Sequence, residues 1–197
     1  MAVNSESKNT VWRLGILLHR VRDELVNCEE PIFNKYGITT EQYSVLAAMK
    51  YIGGPARVTD IARWLERSTN SVSMIIDRMV KAGLVTRKRD KGDRRAVYVT
   101  ATSKGENAFK LATLPVLEFI QKILSLLSYE DKLTLISLLE KIKGAALAHL
   151  NPGADITKMI KDSITSKADF HERMVKSVLP STPQAKRQGG KKKKAIR

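Results

Sequence analysis

The chain has 197 residues, 43% of them hydrophobic, enough for one domain with an extension and a core of its own. A formal net charge of +15 favours a polyanionic partner, either nucleic acid or an anionic membrane surface. One cysteine, Cys28, excludes an intramolecular disulfide and fits a reducing, cytoplasmic setting, while the polar start "MAVNSESKNT" and the lack of about 18 successive apolar residues speak against a secretory signal and a membrane span.

From Thr10 to Tyr36, Val11, Leu14, Leu18, Val21, Leu25, Ile32 and Tyr36 recur at helical spacing and predict one long amphipathic helix. Pro31 is expected to end or bend it, and Gly37 to break it. Thr39 with Gln42 three residues later reads as a capping box. It opens a second helix over 41–52, with Tyr43, Leu46, Ala47 and Met49 to bury. "GGP" at 53–55 stops that helix. A short helix over 58–66 follows, apolar at Val58, Ile61, Ala62 and Leu65. "RSTN" then leads into a helix over 69–82 with one apolar stripe: Val72, Ile75, Ile76, Met79 and Val80. Gly83 stands where a left-handed cap belongs.

Two short β runs come next, "LVTRKR" and "RAVYVT", joined by "DKGD" with Gly92 as the turn residue. Two further helices are predicted. One covers 102–127 with a kink at Pro115. The other covers 129–150, started by Ser128 with Asp131 and closed by Asn151, Pro152 and Gly153. Ile156, Met159, Ile160 and Ile164 are spaced for a weak helix within 155–179. From Pro180 the text "PSTPQAKRQGGKKKKAIR" has nothing to bury and is expected to be disordered. Residues 151–197 hold twelve Lys and Arg against four Asp and Glu, a net of +8, leaving +7 for the first 150.

A short helix, a brief turn, a capped helix and a charged hairpin make the layout of a winged helix-turn-helix. Opposite the apolar stripe of the capped helix lie Asn70, Met74, Asp77 and Lys81, with Thr69, Ser71 and Ser73 flanking its start. Short side chains can come close to base edges. Asn70 suits an adenine and Met74 a thymine methyl, while the free N–H groups at the helix start suit a phosphate. From composition alone, base readout and a merely solvated capped face both remain open.

The stretch "TNSVSMIIDRMVKAGLVTRKRDKGDRRAVYVTATSKG", residues 69–105, resembles the MarR family of bacterial transcription regulators. The matching positions are Asp77, Arg78 and Met79, then Gly83, Leu84, Val85 and Arg87, then Asp93 and Arg95, then Val99, Thr100 and Gly105. "YGITTEQYSVL" is similar to the start of that family's second helix. The resemblance spans about residues 10–150 and implies a mainly α fold with a small β-hairpin wing: a winged helix-turn-helix with an intertwined helical dimerisation region. Residues 1–36 would form the N-terminal dimerisation helix, 37–100 the DNA-binding domain and 101–150 the C-terminal dimerisation helices. Residues 151–197, a basic tail, depart from the family.

The resemblance makes double-stranded DNA and a second copy of the chain the expected partners. Base readout falls to Thr69, Asn70, Ser71, Ser73 and Met74. Arg95 would enter the minor groove, whose concentrated negative potential attracts arginine, and Asp93 would hold its guanidinium. The plainer reading of that pair is a surface ion pair worth little. Arg57, Arg87, Lys88 and Arg94 are backbone-contact candidates, and Arg78 serves either packing or phosphate positioning. Independently of the family, Leu117, Ile120, Ile123, Leu124, Leu127, Leu133, Leu135, Ile136, Leu139 and Ile142 exceed what a small three-helix core can cover, which favours a second copy over an intramolecular helical subdomain.

Family members often take anionic aromatic ligands between the dimerisation helices and the winged domain. Trp12, His19, Tyr43 and Trp64 are the candidates here for such a small aromatic or anionic effector, against the alternative of core or interface packing. Cys28 departs from the family's oxidant-sensing position and reads as a buried, inert thiol. His19, His149 and His171 lack metal-ligand spacing, so neither a metal nor another cofactor is expected. No Ser/His/Asp or Cys/His grouping, phosphate loop or paired-carboxylate motif points to an enzyme. The expectation is a homodimeric, ligand-released repressor on a palindromic operator. The alternative is a basic architectural or RNA-binding protein without strong sequence preference. "KKKKAIR" reads as an electrostatic arm or as a solvated tail.

Overall fold

The structure, a computed structural model, describes residues 5–89, 97–161, 169–170 and 174. Its elements are α1 (Ser5–Asn34), α2 (Thr40–Ile52), β1 (Ala56–Arg57), α3 (Val58–Leu65), α4 (Thr69–Lys81), β2 (Val85–Arg89), β3 (Val97–Ala101), α5 (Ser103–Leu124) and α6 (Tyr129–Leu150). The strands form an antiparallel sheet in the order β1-β3-β2.

α1 starts earlier than the apolar spacing predicts and runs through Pro31 without a break. Proline lacks the N–H that a helix interior needs, but here only one more turn follows. Lys35 N still donates to the Pro31 carbonyl at 3.3 Å, and Gly37, at φ 71°, takes the left-handed position beyond the helix end. The capping box of α2 forms as its sequence predicts. Thr39 Oγ1 accepts from Gln42 N at 3.2 Å, and Gln42 Oε1 accepts from Thr39 N at 3.0 Å. Thr40 binds back to α1, its hydroxyl donating to Glu30 Oε2 at 2.6 Å.

The stripe of α4 buries Val72, Ile75, Ile76 and Met79, but Val80 is 39% exposed. At 100° per residue Val80 sits roughly a quarter turn from the stripe's centre, so it falls on the edge and not in the seam. Gly83, at φ 69°, ends the helix, and Leu84 N closes onto the Met79 carbonyl at 2.9 Å. One junction then ties the wing to the next helix. Thr102 Oγ1 caps α5 by accepting from Gly105 N at 3.2 Å, and donates to the Gly83 and Leu84 carbonyls at 2.7 and 3.1 Å. Gly105 packs so closely that an added Cβ would lie 2.1 Å from the Leu84 oxygen. That contact explains the glycine, which sequence spacing alone leaves without a physical reason.

β1 is an addition to the sequence reading. With two residues it is too short for an alternation signal, yet Ala56 pairs with Val99 and Arg57 with Tyr98. α5 stays continuous through Pro115 and stops at Leu124, three residues before the predicted 127. α6 carries the expected capping box between Ser128 and Asp131. The tail's first residues form the helix expected there, over 156–161. Ile164, and the disorder expected from Pro180, lie outside the described residues.

The core sits in the winged part, where Ile38, Val45, Ile61, Val72, Ile76, Met79, Leu84, Val85 and Val99 are nearly sealed from solvent. α6 is different. Among its 22 residues none is buried, although Leu133, Leu135, Ile136, Leu138, Leu139 and Ile142 all belong to it.

Candidate DNA-binding interface

α4 is fixed from three sides and left open on the fourth. Its start is capped by Ser68, whose hydroxyl accepts from Ser71 N at 3.2 Å. Its apolar stripe seats it on α2, α3 and β2. Thr69, Asn70 and Met74 are exposed, Met74 at 67%, with Asp77 and Lys81 continuing the same face. Ser71 and Ser73 are half-buried beside it. The outward face read from helical spacing is thus present, with a large apolar side chain at its middle that nothing among the described residues covers.

Arg87, a backbone-contact candidate, is engaged within the chain. Its guanidinium bonds Asp77 on α4 at 2.5 Å and donates to the Ser73 carbonyl at 3.3 Å. These bonds brace β2 against α4. Arg78 is ion-paired as well. It donates to Glu41 Oε2 at 3.0 Å while Arg67 takes Oε1 at 3.0 Å. Glu41, in the first turn of α2, therefore holds the α3–α4 turn and the last turn of α4 together. Neither Glu41 nor Arg67 was singled out from sequence, because their partners lie 26 and 37 residues away.

Arg57 stacks over the Tyr98 ring at 5.4 Å and donates to its hydroxyl at 3.1 Å, at the base of the wing. Lys88 is exposed on β2. Asp93, Arg94, Arg95 and the turn residue Gly92 lie outside the described residues.

The four effector-cleft candidates are not brought together. Trp12, 73% exposed, and His19, also exposed, lie on α1. Tyr43 is stacked between Phe33 and Phe109 at 4.5 and 5.1 Å, and its hydroxyl donates to Thr113 Oγ1 at 3.2 Å. Burial pushes its phenol pKa up, with Glu29 adding to the rise and the Thr113 hydrogen bond opposing it. Trp64 packs against Tyr51 and Phe170. These two aromatics are core, the alternative already open in the sequence. Cys28 also differs from expectation, since it is exposed. Leu25, Val26, Glu29 and Glu30 turn inward on this stretch of α1, and Cys28 falls on the outer side. The partial burial of Glu29 raises its carboxyl pKa.

A cavity of about 480 Å³ does open where α2 and β3 meet α5. Leu46, Met49 and Phe109 give it an apolar floor, and Lys50, Glu106 and Lys110 stand at its mouth. Among the described residues no group of three or more His, Cys, Asp or Glu could hold a metal ion, and no single helix is long and apolar enough to cross a membrane.

A family model described as MarR family matches residues 36–96. The transcriptional regulator FarR of Neisseria gonorrhoeae is 29% identical over 138 residues, covering 70% of this chain and 92% of its own. The repressor MdtR of Bacillus subtilis is 27% identical over 133 residues, 68% of this chain and 83% of its own. In fold, a cysteine-to-serine mutant of MarR from E. coli, solved with operator DNA, superposes with a TM-score of 0.62 at 24% identity, covering 68% of this chain and 96% of that one. The organohalide-sensing regulator RdhR in its 2,4-dichlorophenol-bound form gives 0.67 at 19%, over 78% and 91%. Residues 36–96 are thus similar to the MarR family, and the fold is that of its winged-helix members. By this likeness α3 and α4 correspond to a helix-turn-helix, and β2 and β3 to the strands of a wing. α1 and α6 each leave an apolar side exposed.

Proposed function

We propose that the protein is a cytoplasmic repressor that binds a palindromic operator as a homodimer and is released by a small organic molecule. The observation that carries this reading is the open face of α4, presented by a helix that caps, apolar packing and the Arg87 brace hold rigid. Thr69, Asn70, Ser71, Ser73 and Met74 are the base-reading residues in this proposal. Lys88, Arg57 and Arg94 contact phosphates, and Arg95, oriented by Asp93, reads the minor groove. Arg78 and Arg87 act by positioning α4 and the wing. The protein has no catalytic role in this reading.

The effector site is the α2–α5 cavity, in place of the four aromatic and histidine candidates. Its volume lies in the usual range for small-molecule sites, roughly 300–1,000 Å³. The apolar floor suits an aromatic or alicyclic body, and Lys50 and Lys110 suit an anionic group at the mouth. A ligand wedged there presses between the recognition domain and a dimerisation helix, so it couples to the distance between two recognition helices. The chlorophenol-bound relative supports that ligand class. Residues 175–197, outside the described residues, carry eight Lys and Arg and no Asp or Glu, and are assigned here as an electrostatic arm on DNA.

The test is selection of bound genomic fragments followed by gel shift on the enriched sequence. Asn70→Ala and Arg95→Ala should each lose about tenfold or more in specific affinity while binding to random DNA persists. Equal affinity of the wild type for enriched and random DNA at physiological salt would instead support an architectural role.

A further inference from the structure

Beyond α6 the chain turns back onto itself. Asp155 caps the helix over 156–161, its carboxylate accepting from Lys158 N at 3.0 Å. From that helix Ile160 reaches α6, where its Cδ1 stands 3.0 Å from the place a Cβ on Gly144 would occupy. The small residue gives Ile160 its seat. Further on, Phe170 is 9% exposed and meets both Tyr51 of α2 and Trp64 of α3 edge-on, at 5.8 and 5.7 Å with interplanar angles of 88° and 86°. This is the favourable arrangement of aromatic quadrupoles. Met174 packs on the same core.

These contacts converge on one junction. Lys143, next to Gly144 on α6, bonds Glu66 at 3.0 Å. Glu66 is the residue that turns the chain between α3 and α4, in a left-handed conformation at φ 55°. The extension thus touches the dimerisation helix at one end and the helix-turn-helix at the other, beside a direct bond between the two. α6 buries none of its own residues within the chain, so without such a tie its angle to the winged domain is weakly determined.

We propose that the C-terminal extension is a brace between α6 and the helix-turn-helix, anchored by Phe170, and that it sets the operator half-site spacing the dimer accepts. The inference rests on the homodimeric operator reading above. Each added base pair moves the half-sites about 3.4 Å apart and rotates them by about 35°. A dimer whose winged domains are locked to α6 cannot follow both changes. One whose domains swing can.

The experiment uses the full-length chain and duplexes in which the selected operator gains or loses one or two central base pairs. Wild type should favour one spacing by about tenfold or more over its neighbours. Phe170→Ala should compress that preference to about threefold or less, with Phe170→Leu in between. Ile160→Asp, which loosens the brace at the α6 end and spares the winged core, should flatten the profile likewise and decides the matter if Phe170→Ala does not fold. Loss of stability alone would weaken all spacings by one factor. A sharp wild-type profile that both variants retain, even at lower affinity, overturns the brace. A wild type with no specific duplex at any spacing overturns the operator reading on which the brace depends.

Discussion

The winged half and the helical half of this chain use their apolar residues in opposite ways. In the winged half, α2 through β3, stripes close on each other and Val45, Ile61, Val72, Ile76 and Val99 are fully buried. In the helical half, α6 is richer in leucine yet buries nothing, and α1 exposes Val11, Leu14, Leu17, Leu18 and Val21. Hydrophobicity therefore does not separate core from interface here. What separates them is whether the opposite face lies within the same chain. The first half closes its core inside the chain, with Phe33 of α1, Phe109 of α5 and Phe170 packed against it. The second becomes a core when a second copy supplies the other side.

The largest effect should come from breaking that second core. Ile136→Asp with Leu139→Asp places two charges on α6, and the mass by light scattering should fall from twice the 22.0 kDa of the chain to that value. Specific DNA affinity should drop by about 100-fold or more, since half a palindrome is then read. Next is the seal of the first core. Gly105→Ala drives a methyl into the Leu84 carbonyl and should cost about 3 kcal/mol, read as a lower Tm with the dimer mass unchanged. Arg87→Ala releases β2 from α4. It should weaken operator binding about tenfold through a misplaced wing, with a much smaller change in Tm because the pair lies at the surface. Thr39→Ala removes one half of the α2 capping box, worth about 1 kcal/mol in a denaturant titration.

The smallest effect tests the border between the halves, where Glu29 of α1 faces Tyr43. Burial raises the Glu29 carboxyl pKa, so the folded state favours its protonated form. Relative to the unfolded chain, this group gains stability as pH falls through the raised pKa and costs stability above it. Glu29→Gln should therefore raise Tm slightly at pH 8 and lose that advantage in acid. An equal gain at both pH values would contradict the desolvation account.

Much of the fold was legible in the sequence, because its logic is local. The capping boxes at Thr39 and Ser128, the stripe of α4 and the left-handed Gly83 are each written within a few residues. What was not legible depends on partners far along the chain. Glu41 pairs with Arg67 and Arg78, and Arg87 with Asp77, contacts that no local spacing announces. The ring contacts of the aromatic residues are also distant in sequence. Tyr43 and Trp64 suit a ligand by type, but Phe33, Phe109, Tyr51 and Phe170 already occupy their faces. The cavity instead borders two lysines and two glycines, a set without a spacing signal. β1 escaped notice because two residues cannot alternate.

The central claim is that two copies present two α4 faces to one DNA site. It is tested most directly by sequencing the genomic fragments that the full-length protein retains at physiological salt. The account predicts enrichment of an inverted repeat with half-site centres about 10 base pairs apart, or a multiple of that. Retention of fragments with no shared inverted repeat would contradict it.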